Sequence, residues 1–119
     1  MRRASFSIPF CISALTSAGL LAFAAAPVRA EEALEMTISI KDHKFEPAKL
    51  KVPAGKPVKL TVNNLDATPE EFESYPLQFE KVIAGKQSAV IRLRPLTEGT
   101  YDFFGEYHEA TAQGAVVVE

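Results

Sequence analysis

Cysteine is the residue that this sequence most conspicuously lacks. Its 119 residues include a single cysteine, Cys11. Because that residue lies in an N-terminal segment that we expect to be removed on export, the mature chain should carry no thiol. A chain without thiols forms no disulfide and offers no thiolate to a metal ion. The hydrophobic core must therefore stabilise the mature domain unaided.

An excess of positive charge is also missing. The chain has 13 Lys and Arg against 15 Asp and Glu, and three of the arginines lie in the first 30 residues. Residues 31–119 therefore contain 10 basic and all 15 acidic residues, which gives this part of the chain a formal charge of −5. This balance excludes the basic footprint of a nucleic-acid-binding protein. An acidic surface attracts small cations or basic partners instead.

The first 30 residues read as a secretory signal peptide. Two arginines follow the initiator Met, Ile8–Ala26 is apolar and rich in small residues, and Val28–Ala30 offers the small residues that a signal peptidase reads before Glu31. The alternative is a membrane anchor, but a spanning helix needs roughly 20 strongly apolar residues. The sequence therefore predicts a signal peptide at 1–30, one exported domain at 31–119, and no stable membrane anchor after cleavage.

Helical periodicity is absent after residue 30, and short alternating segments take its place. In Leu34–Ile40, for example, apolar residues alternate with Glu35, Thr37 and Ser39, which is typical of a half-buried strand. Turn residues recur about every 8–12 residues, which predicts an all-β sandwich of seven or eight strands. The predicted strands are Leu34–Ile40, Lys49–Val52, Val58–Val62, Glu71–Tyr75, Phe79–Ile83, Ala89–Arg94, Tyr101–Phe103 and Ala115–Val118.

The apolar positions of these strands define the expected core. We also expect the Tyr101 hydroxyl to hydrogen-bond the neighbouring turn, because a buried hydroxyl needs a partner. The predicted core residues are Met36, Ile38, Phe45, Leu50, Val52, Val58, Leu60, Val62, Phe72, Ile83, Ile91, Leu93, Tyr101, Phe103, Val116 and Val118.

Two histidines are the first candidates for chemistry. The chain contains only His43 and His108, and both lie in predicted loops. Neutral imidazole is the commonest protein ligand for transition metals. A solvent-exposed loop histidine is the alternative interpretation for each residue taken alone.

A run of carboxylates, Glu70–Glu73, is the second candidate group. Glu71 and Glu73 are two residues apart on a strand, so they share one face while Phe72 anchors the other. Two such charges repel unless a cation or a base lies between them. A solvated strand face is the alternative. Glu80 is a weaker candidate of the same type.

Ligand chemistry limits the metal that such residues would hold. Imidazole and carboxylate without sulfur suit Cu(II), Fe, Mn or Zn rather than Cu(I). A type 1 blue-copper site is excluded because it needs a cysteine thiolate. Glu106 is another weak candidate ligand, whereas Glu109 is expected to face solvent. Hydrolytic catalysis has no support, because the sequence contains no phosphate loop, HExxH helix or Ser-His-Asp arrangement.

Several stretches resemble cupredoxins. KDHKFEPAKLKVPAGKPVKLTVNN is similar to the family's opening, and GTYDFFGEYHEATAQGAVVV has the rhythm of its metal-binding loop. Gly105 stands where the family places its copper thiolate, and Ala112 stands where it places the axial Met. After the loop that ends at Pro69, a glutamate takes the place of the family's first histidine ligand. In such a fold the loops of His43 and His108 reach the same pole.

Two runs are more specific. EEFESYPLQFEKVIAGK and RPLTEGTYDFFGEYHEATAQG are similar to the EfeO-type cupredoxin-like domain, and especially to its stand-alone periplasmic form (FtrB-like) in bacterial ferrous-iron uptake systems. The resemblance covers nearly all of Met36–Val118. It implies a Greek-key sandwich in the periplasm that binds copper or iron and oxidises Fe(II), or hands iron on, before a membrane permease imports it. A periplasmic iron-binding protein, the inner-membrane permease and a membrane ferredoxin-like protein are the implied partners.

The resemblance also implies metal ligands. Glu71 and Glu73 match the family's Glu-aromatic-Glu pair, Glu80 matches an acidic position that follows it, and His108 matches the terminal-loop histidine. His43 is added as a fifth candidate ligand, because its loop is expected to reach the same pole as the loop of His108. Two other functions remain open: a periplasmic copper carrier without redox turnover, and a metal-free interaction module that uses the glutamates as a charged docking face.

Overall fold

The structure covers the whole of residues 31–119 and part of the N-terminal segment. The computed structural model describes Ser5, Ser7, Pro9, residues 19–27 and residues 31–119. Most of the predicted signal peptide, with Cys11 and the cleavage motif Val28–Ala30, lies outside the described residues. Within the described part, no helix is long and apolar enough to cross a membrane.

Alternation of apolar and polar residues produces strands throughout residues 31–119. The predicted all-β sandwich is confirmed, with nine strands in the described residues. Eight of them lie where the sequence predicts strands, and the three-residue β2 is an addition that pairs with β1. The strands are β1 Leu34–Lys41, β2 Lys44–Glu46, β3 Lys49–Val52, β4 Val58–Asn64, β5 Glu70–Ser74, β6 Phe79–Ile83, β7 Ser88–Leu93, β8 Gly99–Gly105 and β9 Gln113–Val118.

The nine strands form two sheets with crossing connections. The four-stranded sheet has the order β2-β1-β4-β7, and the five-stranded sheet has the order β3-β9-β8-β5-β6. The β1–β4 and β3–β9 pairs are parallel, and the other pairs are antiparallel. Neighbours that are distant in sequence require the chain to pass between the sheets, as in a Greek-key sandwich.

The core lies between the inner faces of the two sheets. All the predicted core residues are buried except Met36 and Tyr101, which are partly buried and pack against the edge of the core. The Tyr101 hydroxyl donates to the backbone oxygen of Thr97 at 3.0 Å, which confirms the expected hydrogen bond to the turn. The core cluster also contains four buried residues that the sequence analysis did not include, Ile40, Leu77, Leu96 and Ala112.

Three phenylalanines anchor the segments that lead to one pole of the sandwich. The ring centroid of Phe45 lies 5.8 Å from that of Phe72 and 4.9 Å from that of Phe103. The rings of Phe72 and Phe103 are also 4.9 Å apart. Aromatic pairs of this kind contribute about 0.5–1.5 kcal/mol beyond their burial. The cluster therefore fixes β2, β5 and β8 relative to one another just below the loops of that pole.

Candidate metal centre

His43 lies in a tight turn between β1 and β2. Lys41 pairs with Lys44, so Asp42 and His43 form a two-residue hairpin turn. Both residues have positive φ, 52° for Asp42 and 58° for His43. Turns of this type usually carry Asn-Gly or Asp-Gly, because both central residues need positive φ. The turn projects the His43 imidazole over the pole, and its side chain is 41% exposed.

Glu70 is the buried carboxylate of this pole. It begins β5, shares the inward face with Phe72, and is 1% exposed. Its Oε1 atom accepts hydrogen bonds from the backbone N–H of Tyr107 at 3.0 Å and of Glu71 at 3.2 Å. A buried carboxylate is strongly unfavourable unless it is paired and hydrogen-bonded. The structure meets that requirement on Oε1 with backbone donors and on Oε2 with the imidazole of His108.

His108 is the partner of Oε2 of Glu70. It ends the short 3-10 turn Glu106–His108 that follows β8, and its Nδ1 atom lies 2.5 Å from Oε2 of Glu70. The His108 carbonyl accepts hydrogen bonds from the N–H groups of Thr111 and Ala112. This closed loop holds the imidazole over Glu70 with 27% of its side chain exposed.

The small residues of the loop make room for Glu70. A Cβ atom at Gly105 would lie 2.7 Å from the Cβ of Ala112 and 2.7 Å from the carboxyl carbon of Glu70. Such distances are much shorter than normal carbon contacts of about 3.5–4.0 Å. Gly105 therefore lies close to both Ala112 and the Glu70 carboxylate, and a side chain at this position would displace one of them.

The structure brings the two histidines together. The rings of His43 and His108 are stacked, with centroids 3.6 Å apart and planes inclined by 14°. One ligand atom from each, together with a carboxylate oxygen of Glu70, form a group within 4.8 Å of one another. Both histidines were candidates from the sequence, whereas Glu70 was not selected as a ligand. The roles of His43 and His108 as ligands remain predictions.

Stacking limits how one ion can use both rings. The nitrogen lone pairs lie in the ring planes, and imidazole nitrogens bind metals at about 2.0–2.1 Å. Because the rings are stacked with centroids 3.6 Å apart and nearly parallel planes, an ion in the plane of one ring is well outside the plane of the other. One ring must turn before both can bind. His43 is the freer ring, since its Nδ1 lies 3.6 Å from Asp66 Oδ2, beyond hydrogen-bond distance.

The other candidate glutamates lie on the opposite face of β5. Glu71 and Glu73 form a second group with Glu106, which the sequence analysis treated as a weaker candidate. Glu80 pairs with Glu73 across β5 and β6 but belongs to neither group. Because side chains alternate along a strand, Glu71 and Glu73 point away from the face that carries Glu70. The structure therefore does not join them to the histidines.

Burial and mutual repulsion raise the pKa values of two carboxylates in this outer group. Partial burial, followed by the charge of Glu106, raises the pKa of Glu71 and that of Glu73 above the usual range. Each proton taken up relieves repulsion between neighbouring carboxylates. The group forms an acidic outer surface of the five-stranded sheet.

The donor set at the histidine pole fits a transition metal. Two imidazoles suit Cu(II), and also iron or zinc, and the carboxylate of Glu70 orients one of them. Residues 31–119 contain no cysteine, so this domain supplies no thiolate. The Nδ1 of His108 faces Glu70, which leaves Nε2 for an ion in the arrangement that many histidine ligands use.

Comparison with known proteins places the chain among related sequences. The profile of the cupredoxin-like domain matches residues 12–118. An uncharacterized protein of Rickettsia prowazekii, RP394, is 46% identical over 85 residues, which is 71% of this chain and 68% of that protein.

Solved structures share the fold. The metal-binding domain of the Streptococcus pneumoniae Cu(I)-exporting P-type ATPase CopA, solved with Cu(I), superposes with a TM-score of 0.65 at 18% identity, over 76% of this chain and 91% of that one. Auracyanin A, a blue copper protein from Chloroflexus aurantiacus, gives a TM-score of 0.64 at 16% identity, over 74% of this chain and 100% of its own. At these identities the likeness establishes the cupredoxin-like fold.

Proposed function

This chain belongs to the cupredoxin-like domain family, and from that membership we propose that it binds a transition-metal ion through the imidazoles of His43 and His108, with Glu70 as the carboxylate that orients His108. The observation that carries the proposal is the convergence of two imidazoles and a buried carboxylate at one pole, with ligand atoms within 4.8 Å of one another. The structurally similar CopA domain and auracyanin A are copper proteins, which supports copper as the first metal to test.

The residues favour the oxidised state of copper. Imidazole nitrogens without a sulfur ligand suit Cu(II), and they also bind iron. Glu70 orients the His108 ring and brings a negative charge that offsets the charge of the cation. His43 completes the donor set from the exposed side. An ion held here would supply one-electron redox chemistry.

The finer function follows the EfeO-type resemblance. The protein is an exported periplasmic component of ferrous-iron uptake that oxidises Fe(II) or hands iron to an inner-membrane permease. A periplasmic iron-binding protein is the further partner. The two sequence runs described above support this assignment, and so does an imidazole donor set without sulfur, because imidazole binds iron as well as copper. The alternative function, a periplasmic copper carrier, would use the same residues but would not oxidise Fe(II).

Metal titration of the predicted mature protein tests the proposal. Residues 31–119 contain all nine strands, so this chain is the one to purify, strip of metal and titrate with Cu(II) and with anaerobic Fe(II). We expect one Cu(II) per chain by calorimetry and an EPR spectrum typical of nitrogen and oxygen ligands. His108→Ala should weaken binding, and Glu98→Gln should not, because Glu98 precedes β8 at its opposite end. Equal affinity in His108→Ala would contradict the proposed site.

A metal-free interaction module is the second candidate function. The observation that favours it is the internal pairing of Glu70, whose two oxygens already have partners in His108 and two backbone N–H groups. In that case calorimetry should detect no bound metal. Charge reversal of Glu71 and Glu73 should then weaken association with a partner protein, because those residues form the acidic outer surface.

A further inference from the structure

The turn that carries His43 has an unusual backbone. Two consecutive non-glycine residues, Asp42 and His43, are in the left-handed region, with φ of 52° and 58°. Residues with a Cβ atom populate this region sparsely, and they remain there only when the surrounding structure holds them. Something outside the hairpin must therefore stabilise the position from which the His43 ring projects.

Asp66 provides that stabilisation from another loop. Its Oδ1 accepts the backbone N–H of Asp42 at 2.9 Å, and its Oδ2 accepts the backbone N–H of His43 at 3.0 Å. One carboxylate thus holds both strained residues. These hydrogen bonds, above all the one from His43, contribute to a pKa of Asp66 below the usual range.

Asp66 is itself held in place by the framework. Its backbone N–H donates to Oδ1 of Asn64 at 3.1 Å, and its carbonyl accepts the N–H of Lys86 at 2.9 Å. Asn64 ends β4 and is 1% exposed, and its side-chain amide donates to the carbonyls of Thr68 and Ile83. The carboxylate therefore projects from a fixed point between β4 and β5 rather than from a free loop.

We propose that Asp66 is a positioning residue for the metal centre, which holds the Asp42–His43 turn in its left-handed conformation and so places the His43 imidazole over His108. The part of this inference that concerns the ion rests on the proposed function. The part that concerns the placement of the His43 ring is independent of the proposed function, because the stack on His108 consists of protein atoms alone. Asp66 acts on the ion only through His43.

The first test is made without metal. A ring that stacks on another shields its protons, so the ring protons of His43 should be shifted upfield in NMR spectra of the wild-type protein. Asp66→Ala should remove most of this shift, and Asp66→Asn, which keeps one acceptor oxygen, should remove part of it. Asp102→Ala is the matched control, since Asp102 is an exposed residue of β8 on the outer face. Unchanged His43 shifts in a folded Asp66→Ala protein would overturn the proposal.

A rescue separates positioning from general stability. Glycine adopts positive φ without penalty, so Asp42→Gly should restore part of the His43 shift in the Asp66→Ala background. If the shift loss came from wider unfolding, this change in an exposed turn would restore nothing. Dispersed amide spectra of each variant report whether the sandwich is intact.

The second test adds Cu(II). We expect Asp66→Ala to lower affinity by about tenfold or more, in the range seen when a residue that orients a ligand is removed. Pulsed EPR should count one imidazole instead of two. The His43→Ala/Asp66→Ala double variant should bind no more weakly than His43→Ala alone, whereas an additional loss in the double variant would contradict action through His43. If wild-type protein binds no copper, the proposed function fails while the metal-free shifts still decide the role of Asp66.

Discussion

The Nδ1 atom of His108 lies 2.5 Å from Oε2 of Glu70, and this contact joins the terminal loop to the buried start of β5. A carboxylate that accepts a hydrogen bond from one imidazole nitrogen fixes the ring's orientation and directs the other nitrogen outward. Because Glu70 is held on its other oxygen by two backbone N–H groups, the pair forms a rigid base for the centre.

Replacing Glu70 by Gln tests this base. The side chain keeps its shape but loses its charge, so His108 loses a charge-assisted partner. Hydrogen bonds to charged groups contribute about 1.5–3 kcal/mol, and we expect the free energy of unfolding to fall by an amount of that order in chemical denaturation. Affinity for Cu(II) should fall by about 10–100-fold in calorimetry. Glu109→Gln is the control on the same loop, and equal effects of the two substitutions would contradict a special role for Glu70.

Adding a methyl group at Gly105 tests the fit of the carboxylate. The new Cβ would meet Ala112 and Glu70 at 2.7 Å, so the loop or the carboxylate must move. We expect Gly105→Ala to lower the free energy of unfolding by about 1–3 kcal/mol, as overpacked cores do, and to weaken metal binding.

Gly55→Ala is the control that separates the effect of crowding on stability from the effect of backbone conformation. A Cβ at Gly55 meets no atom within 4 Å, so its cost arises from a φ of 74° alone. Both variants should lose stability, but only Gly105→Ala should alter the NMR signals of His108. If the His108 signals of Gly105→Ala were the same as those of the wild-type protein, close packing of Gly105 on Glu70 would be contradicted.

Much of the fold could be predicted from the sequence because its strands alternate cleanly. In β4, Val58, Leu60 and Val62 are buried while the residues between them are half-buried, and such a pattern fixes both the strand and its inner face. β2 was not predicted as a strand, since it has only three residues and its turn lacks the glycine that signals a hairpin.

The candidate site was less predictable. Four consecutive residues, Glu70–Glu73, contain three carboxylates, and residues two apart on a strand share a face. The sequence placed the start of this strand at Glu71, whereas β5 begins at Glu70, so Glu70 was assigned to the preceding loop. The spacing of two between Glu70 and the buried Phe72 was the available signal. It could not be applied while Glu70 was assigned to the loop before the strand.

Acidity should destabilise the protein through Asp66. Its pKa is below the usual value of about 3.9 in the folded protein, so its contribution to stability is present above that value and is lost as pH falls through the folded pKa. We expect the free energy of unfolding of the metal-free protein to decline below about pH 4. Asp66→Asn should flatten this decline in denaturation curves measured at several pH values. An identical pH profile in the variant would show that Asp66 does not carry this dependence.

The outer carboxylates should have the opposite effect. Glu71 and Glu73 have pKa values above the usual range, so their contribution favours folding at low pH and is lost as pH rises through the raised pKa. Glu106 contributes to both shifts, and Glu106→Gln should therefore raise the melting temperature at pH 7. The gain should shrink on acidification as the remaining carboxylates take up protons. Glu98→Gln, remote from this group, should show no such gain.

Metal binding should separate the stacked imidazoles. Since one ion cannot lie in both ring planes as they stand, we expect the His43 ring to turn while His108 stays on Glu70. Zn(II) is a suitable diamagnetic probe, because imidazole and carboxylate also bind zinc. On titration with Zn(II), the upfield shift of the His43 ring protons should disappear, and the Nδ1 proton of His108 should persist in its bond to Glu70. Retention of the upfield shift at saturating zinc would mean that His43 is not a ligand of the ion, and His43→Ala should then bind zinc as tightly as the wild type.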